Sequence, residues 1–400
     1  MPGSFVSELE NGNLSTQKKG EVLLDALGNV PLKLYDVSFE NLEDITKKSW
    51  MPQMHLTEQE REVVEAKGTV LLLGRSGTGK TVCICNRIEF DRQRLGETAN
   101  FSQLFVSKSS QLCRYVQDAV GSSKGISFTT FDKLVGHILE LLSPFIKASF
   151  HPCHYVGFSR FNQDFYTVRY PQADINPLIV WKTVRTFLKG SIEAFQTSGM
   201  LSRDYFESGK LGKNRCKINK RPDLAFCYDV FMEYQQWIHK QHLWDDFDRI
   251  RALLKGIEEA KRSQPSIYEE QIKRSKVYVD VRFELLCFVF IFPGTYSFDV
   301  SVTRVSGTPA CHIFMRTLIF LTFYSEVQDY TQLEILLFFY VGGGPGSLFL
   351  AGDPAQSVAV GTDFRFEEVR SVGHFVAGSK RRHLIPDKPK IVNVNFRSHE

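Results

Sequence analysis

The sequence lacks long apolar runs, paired cysteines and a strong excess of either charge. Its longest uninterrupted apolar run, residues 285–292, is eight residues long and ends at Pro293, whereas a membrane-spanning helix needs about 18–20. The first residues include acidic side chains and no apolar core, so no secretory signal is expected. These absences predict a soluble, intracellular protein with no membrane partner, and they do not distinguish nucleus from cytoplasm.

Neither the cysteine pattern nor the net charge points to a particular class of site or partner. The eight cysteines form no CxxC pair, and the tight cluster of His151, Cys153 and His154 lacks a second ligand pair for tetrahedral zinc. We interpret these residues as ordinary thiols and imidazoles; metal capture is the alternative. Lys and Arg number 49 against 45 Asp and Glu, a net charge of +4, which is too small to imply a nucleic-acid partner by itself.

Hydrophobic periodicity divides the chain into segments. Short apolar strand patterns alternate with helical patterns over residues 51–144 and again over 271–394, which favours an α/β fold on an open parallel sheet. Residues 145–270 lose the strand pattern and indicate an inserted, mostly helical subdomain. Residues 1–50 are interpreted as an N-terminal extension. Residues 281–325 are anomalous, because they hold 8 of the 33 Phe and no Lys.

A glycine-rich turn lies between an apolar strand pattern at 69–73 and a helical pattern at 81–95. Its sequence, GRSGTGKT, fits the phosphate-binding pattern GxxxxGK[ST]. Glycines let the backbone wrap closely around phosphate oxygens, and the amides and the helix N-terminus then hold negative charge. The pattern predicts a nucleoside triphosphate site formed by Gly74, Ser76, Gly77, Thr78, Gly79, Lys80 and Thr81.

The same pattern assigns chemistry to individual side chains. Lys80 is expected to reach the β- and γ-phosphates, and Thr81 to place its hydroxyl on Mg²⁺. Hydrolysis also needs a carboxylate that binds the metal and a group that orients the attacking water. Asp280, Glu326 and Gln356 each follow an apolar strand pattern, and the carboxyl ends of parallel strands meet at one edge of a sheet. We therefore expect them to converge on the turn.

Four segments, in the same order along the chain, resemble the motifs of UvrD-like superfamily 1 helicases. They are the turn at 74–81, EVQDYTQ at 326–332, GDPAQS at 352–357 and NFRSH at 395–399. Within that superfamily, the segment EVQDYTQ is most similar to the UvrD-like domain of large tetratricopeptide- and ankyrin-repeat proteins. The segments FRFEEV at 364–369 and WDDFD at 244–248 resemble the same domain. The resemblance implies a RecA-like P-loop NTPase that binds and hydrolyses ATP with Mg²⁺ in a nucleic-acid helicase.

The resemblance also implies roles for single residues. Glu326 would polarise the attacking water, and Gln356 would couple nucleotide state to nucleic acid. Arg397 would stabilise the transferred phosphoryl group from a second RecA-like domain; a surface cation is the alternative. Residues 395–400 would begin that second domain, whose remainder would belong to a longer protein, so this chain alone is expected to be impaired. Glu60 occupies the glutamine position of the family's adenine-reading motif.

The acidic motif departs from the family pattern. In the family an Asp directly precedes the Glu, whereas here Ser325 precedes Glu326. Removal of residues 281–325 would join Asp280 to Glu326 and restore the sequence DEVQD, which makes Asp280 the implied Mg²⁺ ligand. We interpret 281–325 as an insertion in the motif, a translated intron or other gene-prediction artefact; the alternative is a functional element. With the segment in place, ATP turnover should fall more than nucleotide binding.

Two functions remain open at this point, a helicase or translocase ATPase and a non-catalytic nucleotide-binding regulatory module. A GTPase is disfavoured, because residues 219–222 read NKRP where guanine recognition needs NKxD. Single-stranded DNA or RNA is the partner that the resemblance implies, with contacts expected from residues 107–111 and 129–131. The basic stretch 203–221 is a further candidate, although a solvated loop is the alternative, and Phe131 has the spacing of a core residue.

Overall fold

The structure of this protein is a computed structural model. It describes residues 23–24, 31–32, 35–36, 53–54, 56–75, 77–95, 101–121, 125–146, 148–197, 199–208, 221–280, 330–353 and 366–393. The anomalous segment 281–325 lies outside the described residues.

Within the described residues, six parallel strands form one sheet. In chain order they are β1 (Val70–Leu73), β2 (Gln103–Ser107), β3 (Ile126–Thr130), β4 (Lys276–Asp280), β5 (Leu348–Gly352) and β6 (Lys390–Ile391). Their order across the sheet is β6–β1–β5–β4–β2–β3. The prediction of an α/β protein with a parallel sheet is confirmed. The central strands are buried because helices cover both faces of the sheet, and their residues are accordingly apolar.

Helices make up most of the remaining described chain. They are α1 (Glu58–Val64), α2 (Lys80–Leu95), α3 (Ser110–Val120), α4 (Phe131–Leu141), α5 (Phe158–Arg160), α6 (Thr167–Arg169), α7 (Pro177–Thr183), α8 (Ile192–Gln196), α9 (Arg203–Glu207), α10 (Arg221–Lys240), α11 (Asp246–Ser263), α12 (Gln332–Val341) and α13 (Phe366–Ala377). Segments of π-helix cover Phe161–Tyr166, Val184–Lys189 and Ile267–Ile272. Short 3₁₀ turns cover Pro152–His154 and Arg382–Leu384.

Two-residue strands pair outside the sheet. Leu23–Leu24 pairs with Pro31–Leu32, and Tyr35–Asp36 pairs with Gln53–Met54, both antiparallel. None of the helices in the described ranges combines the length and the apolar character that crossing a bilayer requires.

The described helices pack into three apolar clusters. Side chains from one face of the sheet pack with α4, α11, α12 and α13, and those from the other face pack with α1, α2 and α3. The third cluster, rich in aromatic rings, lies among the helices between Val156 and Ile238. The helix α11 falls inside the segment predicted as a helical subdomain, yet it packs against the sheet core.

A buried ion network connects the helical region to the start of α11. The ammonium group of Lys189 lies 2.6 Å from Asp245 Oδ2 and 2.9 Å from Asp248 Oδ1, and the Tyr234 hydroxyl donates to Asp245 Oδ2 at 3.2 Å. Asp245 and Asp248 also form the capping box that begins α11. Burial raises the pKa of Asp245 to about 6, and Lys189 opposes that shift.

Replacement of Lys189 by Met should lower the free energy of unfolding by roughly 3–5 kcal/mol, because Asp245 would stay buried without its cation. The pKa of folded Asp245 already lies above its ordinary value of 3.8. Its ionisation therefore opposes folding above the folded pKa, and the penalty disappears as pH falls below the unfolded value. Loss of Lys189 raises that pKa further, so the deficit should be larger at about pH 8 than at about pH 5 when measured by urea unfolding.

Lys240→Met is the matched control, because Lys240 is exposed at the end of α10. It should change the unfolding free energy by less than about 0.5 kcal/mol. Equal deficits for Lys189→Met at the two pH values would contradict a buried carboxylate that depends on this cation.

Candidate nucleotide site

The glycine turn connects β1 to α2 at the carboxyl edge of the sheet. Gly77 and Gly79 have φ values of 83° and 86°, a left-handed backbone that glycine adopts without steric cost. The amide of Gly74 donates to the carbonyl of Gly352 at 3.2 Å. A Cβ atom at Gly74 would lie 2.8 Å from the carbonyl oxygen of Val392, so the packing of neighbouring backbone leaves no room there for a larger residue.

Lys80 is buried inside this turn, with only 1% of its surface exposed. Its Nζ donates to the carbonyl of Gly74, and to that of Arg75 at 2.7 Å. Asp353 Oδ2 lies 3.8 Å from the same atom, and its side chain is also buried. The loop thus curls around a cation whose partners include two neutral carbonyls and a more distant carboxylate.

The other described residues of the turn hold its shape. Thr78 Oγ1 donates to the carbonyl of Arg75 at 2.8 Å, which closes the turn on itself. Cys83 N donates to the carbonyl of Gly79 at 2.9 Å, a hydrogen bond in the first turn of α2. Thr81 is half-buried in the first turn of α2, adjacent in sequence to Lys80, and its role as a Mg²⁺ ligand stays a prediction.

Two carboxylates share this edge of the sheet with the turn. Asp280 is the last residue of β4 and is fully buried; it pairs in register with Ala351 of β5. Asp353 follows β5 directly, and β5 lies between β1 and β4. The strand pattern predicted this edge for Asp280. The sequence also brings Asp353 to this edge as the second residue of GDPAQS, but it does not predict the contact of Asp353 with Lys80.

The oxygen donors at this edge fit a magnesium ion. Mg²⁺ prefers carboxylate and hydroxyl oxygens and usually keeps several waters. Asp280 supplies a buried carboxylate and Thr81 a hydroxyl. Among the residues that the structure describes, no group of three or more His, Cys, Asp or Glu side chains is arranged to hold a metal by itself, so a metal here would depend on bound phosphate for further ligands.

Glu60 takes part in helix capping. Its Oε2 accepts from Thr57 N at 2.9 Å and from Thr57 Oγ1 at 3.1 Å, and Thr57 Oγ1 accepts from Glu60 N in return. This capping box begins α1. The carboxylate is therefore engaged at the start of α1, and the adenine-reading role of Glu60 stays a prediction.

Several predicted site residues lie outside the described residues. They are Ser76, Glu326, Gln356 and Arg397. The convergence of Glu326 and Gln356 on the turn therefore remains a prediction, as does the role of Arg397. The structure brings together Gly74, Gly77, Thr78, Gly79, Lys80 and Thr81, with Asp280 at the same edge.

The residues predicted to contact a single strand have mixed environments. Phe131 is 5% exposed, and its ring packs against Tyr330 at 5.2 Å and Phe338 at 5.6 Å between centroids. Its interpretation as a core residue is confirmed. Lys108, directly after β2, places Nζ 4.4 Å from the centre of the Tyr330 ring.

The basic stretch 203–221 is described only in part. Residues 209–220, which contain most of its cations, lie outside the described residues. Arg203 forms ion pairs with Asp229 and Glu207. Its charge is therefore compensated locally, and it offers little net attraction to a phosphate backbone.

The described end of the EVQDYTQ segment is fixed firmly in the fold. Thr331 and Glu334 form the capping box of α12, with Thr331 N donating to Glu334 Oε2 at 2.6 Å. Gln332 accepts from Ile192 N at 2.9 Å and donates to Glu368. This side chain therefore connects the helical region, α12 and α13, and it joins the EVQDYTQ segment to the FRFEEV segment.

Comparison with known proteins shows a distant relationship. No protein-family model matches the chain. The human protein "TPR and ankyrin repeat-containing protein 1" is 27% identical to this chain over 229 residues, which cover 56% of this chain. The matched stretch spans 6% of that human protein's length. The match agrees with the repeat-protein resemblance of the sequence motifs, at a level of identity that does not assign the chain to a family.

Gly74→Ala should destabilise the fold by about 1–3 kcal/mol, because the added methyl group would collide with the Val392 backbone. Gly136→Ala is the matched control: a Cβ at this position in α4 meets nothing within 4 Å. It should stabilise the protein by about 0.5–1 kcal/mol, because Ala favours a helix interior. Thermal unfolding of both variants measures the difference, and equal midpoints would contradict the close packing at Gly74.

Proposed function

We propose that this chain is the ATP-binding and ATP-hydrolysing domain of a UvrD-like nucleic-acid helicase or translocase, built on a RecA-like P-loop fold. The observation that carries the proposal is the burial of Lys80 within a glycine turn at the carboxyl edge of a parallel sheet. A buried ammonium group at the start of a helix is costly unless an anion or several acceptors compensate it. A nucleoside triphosphate supplies such an anion.

The residues at this edge divide the chemistry of ATP hydrolysis among them. Lys80 would exchange its carbonyl partners for phosphate oxygens, and Thr81 and Asp280 would hold Mg²⁺. When bound, Mg²⁺ offsets charge on the β- and γ-phosphates. Glu326 would accept a proton from the attacking water, and Gln356 would report the nucleotide state. Asp353, 3.8 Å from Lys80, would keep the ammonium oriented toward the turn.

The partner we propose is single-stranded nucleic acid. Support comes from the order of the four motifs along the chain. Because the match to the human repeat protein spans 6% of that protein's length, the activity and partners of any longer protein that contains this domain are part of the proposal. An arginine from a second RecA-like domain, beginning near Arg397, would complete the transition-state contacts.

A non-catalytic nucleotide-binding regulatory module is the second candidate. The observation that favours it is the separation of Asp280 from Glu326 by residues 281–325. The turn and Lys80 would still bind a nucleotide, whereas a displaced acidic motif would not support hydrolysis. The two candidates therefore predict similar nucleotide affinity and different turnover.

Glu326→Gln separates these two candidates. Under the ATPase proposal it should lower the rate of ATP hydrolysis by at least about 100-fold with little change in nucleotide affinity, because the amide cannot accept a proton from water. The measurement is phosphate release by the 400-residue chain and by a chain without residues 281–325, each with and without single-stranded nucleic acid. The shortened chain should be the faster of the two.

Glu270→Gln is the control, because Glu270 is an exposed carboxylate away from the turn. It should hydrolyse ATP at the parental rate. If Glu326→Gln hydrolyses ATP as fast as its parent in both chain lengths, the enzymatic proposal fails. Nucleotide binding without turnover in every chain would support the regulatory module.

A further inference from the structure

A buried hydrogen-bond network connects α2 to β4 on one face of the sheet. Tyr278 of β4 donates its hydroxyl hydrogen to Asp91 Oδ2 of α2 at 2.9 Å. Gln103 Nε2, from β2, donates to the same hydroxyl at 2.7 Å. Asp91 Oδ2 also accepts from Arg87 Nε at 2.7 Å. All four residues are buried, with at most 3% of their surfaces exposed, so bulk water does not compete for these bonds.

The burial of Tyr278 sets the direction of the central bond. Burial raises the pKa of Tyr278 well above its ordinary range, and the charge of Asp91 raises it further. The hydroxyl therefore keeps its proton and donates it to Asp91, while its oxygen accepts from Gln103. Because both bonds depend on distance and angle, they leave the hydroxyl a narrow range of positions.

Apolar contacts hold α2 against the same face of the sheet. Ile84 and Ile88 of α2 pack in one cluster with Tyr278 and with Phe349 of β5. Apolar burial is non-directional, so these contacts press the helix onto the sheet but do less to fix its position along a strand. The bond from Tyr278 to Asp91 is directional. It therefore sets where α2 lies along β4.

Both elements reach the candidate nucleotide site at one end. Helix α2 begins with Lys80 and Thr81, and β4 ends with Asp280. Because strand side chains alternate between the two faces, Asp280 lies on the same face of β4 as Tyr278, which is the face that α2 covers. The stretch of helix from Thr81 to Asp91 is about 15 Å long. A stiff helix carries a shift along its axis from one end of this stretch to the other.

We infer that Tyr278 is a positioning residue for Mg²⁺ at the nucleotide site, an inference that rests on the proposed function. Mg²⁺ requires oxygen ligands at about 2.0–2.1 Å in nearly octahedral geometry, so the spacing between Thr81 and Asp280 tolerates little error. The bond between Tyr278 and Asp91 fixes that spacing through α2. Tyr278 touches neither nucleotide nor metal in this scheme.

Tyr278→Phe tests the inference, because it removes the hydroxyl and keeps the ring that packs 6.3 Å from Phe349 between centroids. The measurement is calorimetric titration of the intact chain with ATP, once with Mg²⁺ and once with EDTA. The gain in affinity that Mg²⁺ provides should fall about 3- to 10-fold, while the affinity in EDTA stays within about twofold of the parent value. A loss of stability alone would not separate these two conditions.

Tyr340→Phe is the matched control. The Tyr340 hydroxyl also donates to a carboxylate, Glu258 Oε1, at 2.7 Å, but Tyr340 lies on α12, which packs against the other face of the sheet. This variant should keep the parental Mg²⁺ gain. The inference is overturned by an unchanged gain in Tyr278→Phe, by equal losses in the two variants, or by a parent chain that binds ATP equally well with and without Mg²⁺.

Hydrogen exchange without nucleotide tests the tie between β4 and α2 by itself. The Cys83 amide donates to the Gly79 carbonyl in the first turn of α2. It should exchange about 3- to 10-fold faster in Tyr278→Phe than in the parent, and at the parental rate in Tyr340→Phe. Equal exchange in the parent and Tyr278→Phe would overturn the inference. If the parent binds no ATP in either condition, the proposed function fails, whereas faster exchange at Cys83 would still support the tie.

Discussion

The burial of the Lys80 ammonium group is the constraint on which the rest of the site depends. A cation with 1% exposure needs acceptors within hydrogen-bond distance, and the turn provides them through the carbonyls of Gly74 and Arg75. That wrapping requires glycine at the left-handed positions Gly77 and Gly79. The same turn is the segment predicted to hold phosphate.

The topology of the sheet explains why distant residues share this edge. Because β5 lies between β1 and β4, the residues that follow these three strands are neighbours in space although far apart in sequence. Asp353 reaches Lys80 from β5, and Asp280 ends β4. The fold also connects this edge to its surroundings: Gln332 joins α12 to the helical region and α13, and Tyr330 contacts Lys108.

The strands β1, β2, β4 and β5, the glycine turn and the edge position of Asp280 could be predicted from sequence, because short apolar runs alternate with helical patterns there, as in a parallel sheet. The strands β3 and β6 carry no such apolar run. The Lys189–Asp245 pair and the Lys108–Tyr330 contact could not be predicted. Each joins residues more than fifty positions apart through side-chain packing, and periodicity carries no information on such pairs. Asp353 lies in the GDPAQS motif, so its place after an apolar strand could be predicted. Its contact with Lys80 depends on the strand order, which the sequence does not give.

The central claim is that Lys80 is positioned to hold a triphosphate, and calorimetric titration of the intact chain with MgATP tests it most directly. The account predicts one saturable site in the parent chain and at least about a tenfold loss of affinity in Lys80→Met, which keeps the side-chain volume and removes the charge. Equal affinity in the two chains, or no binding by the parent, would contradict it.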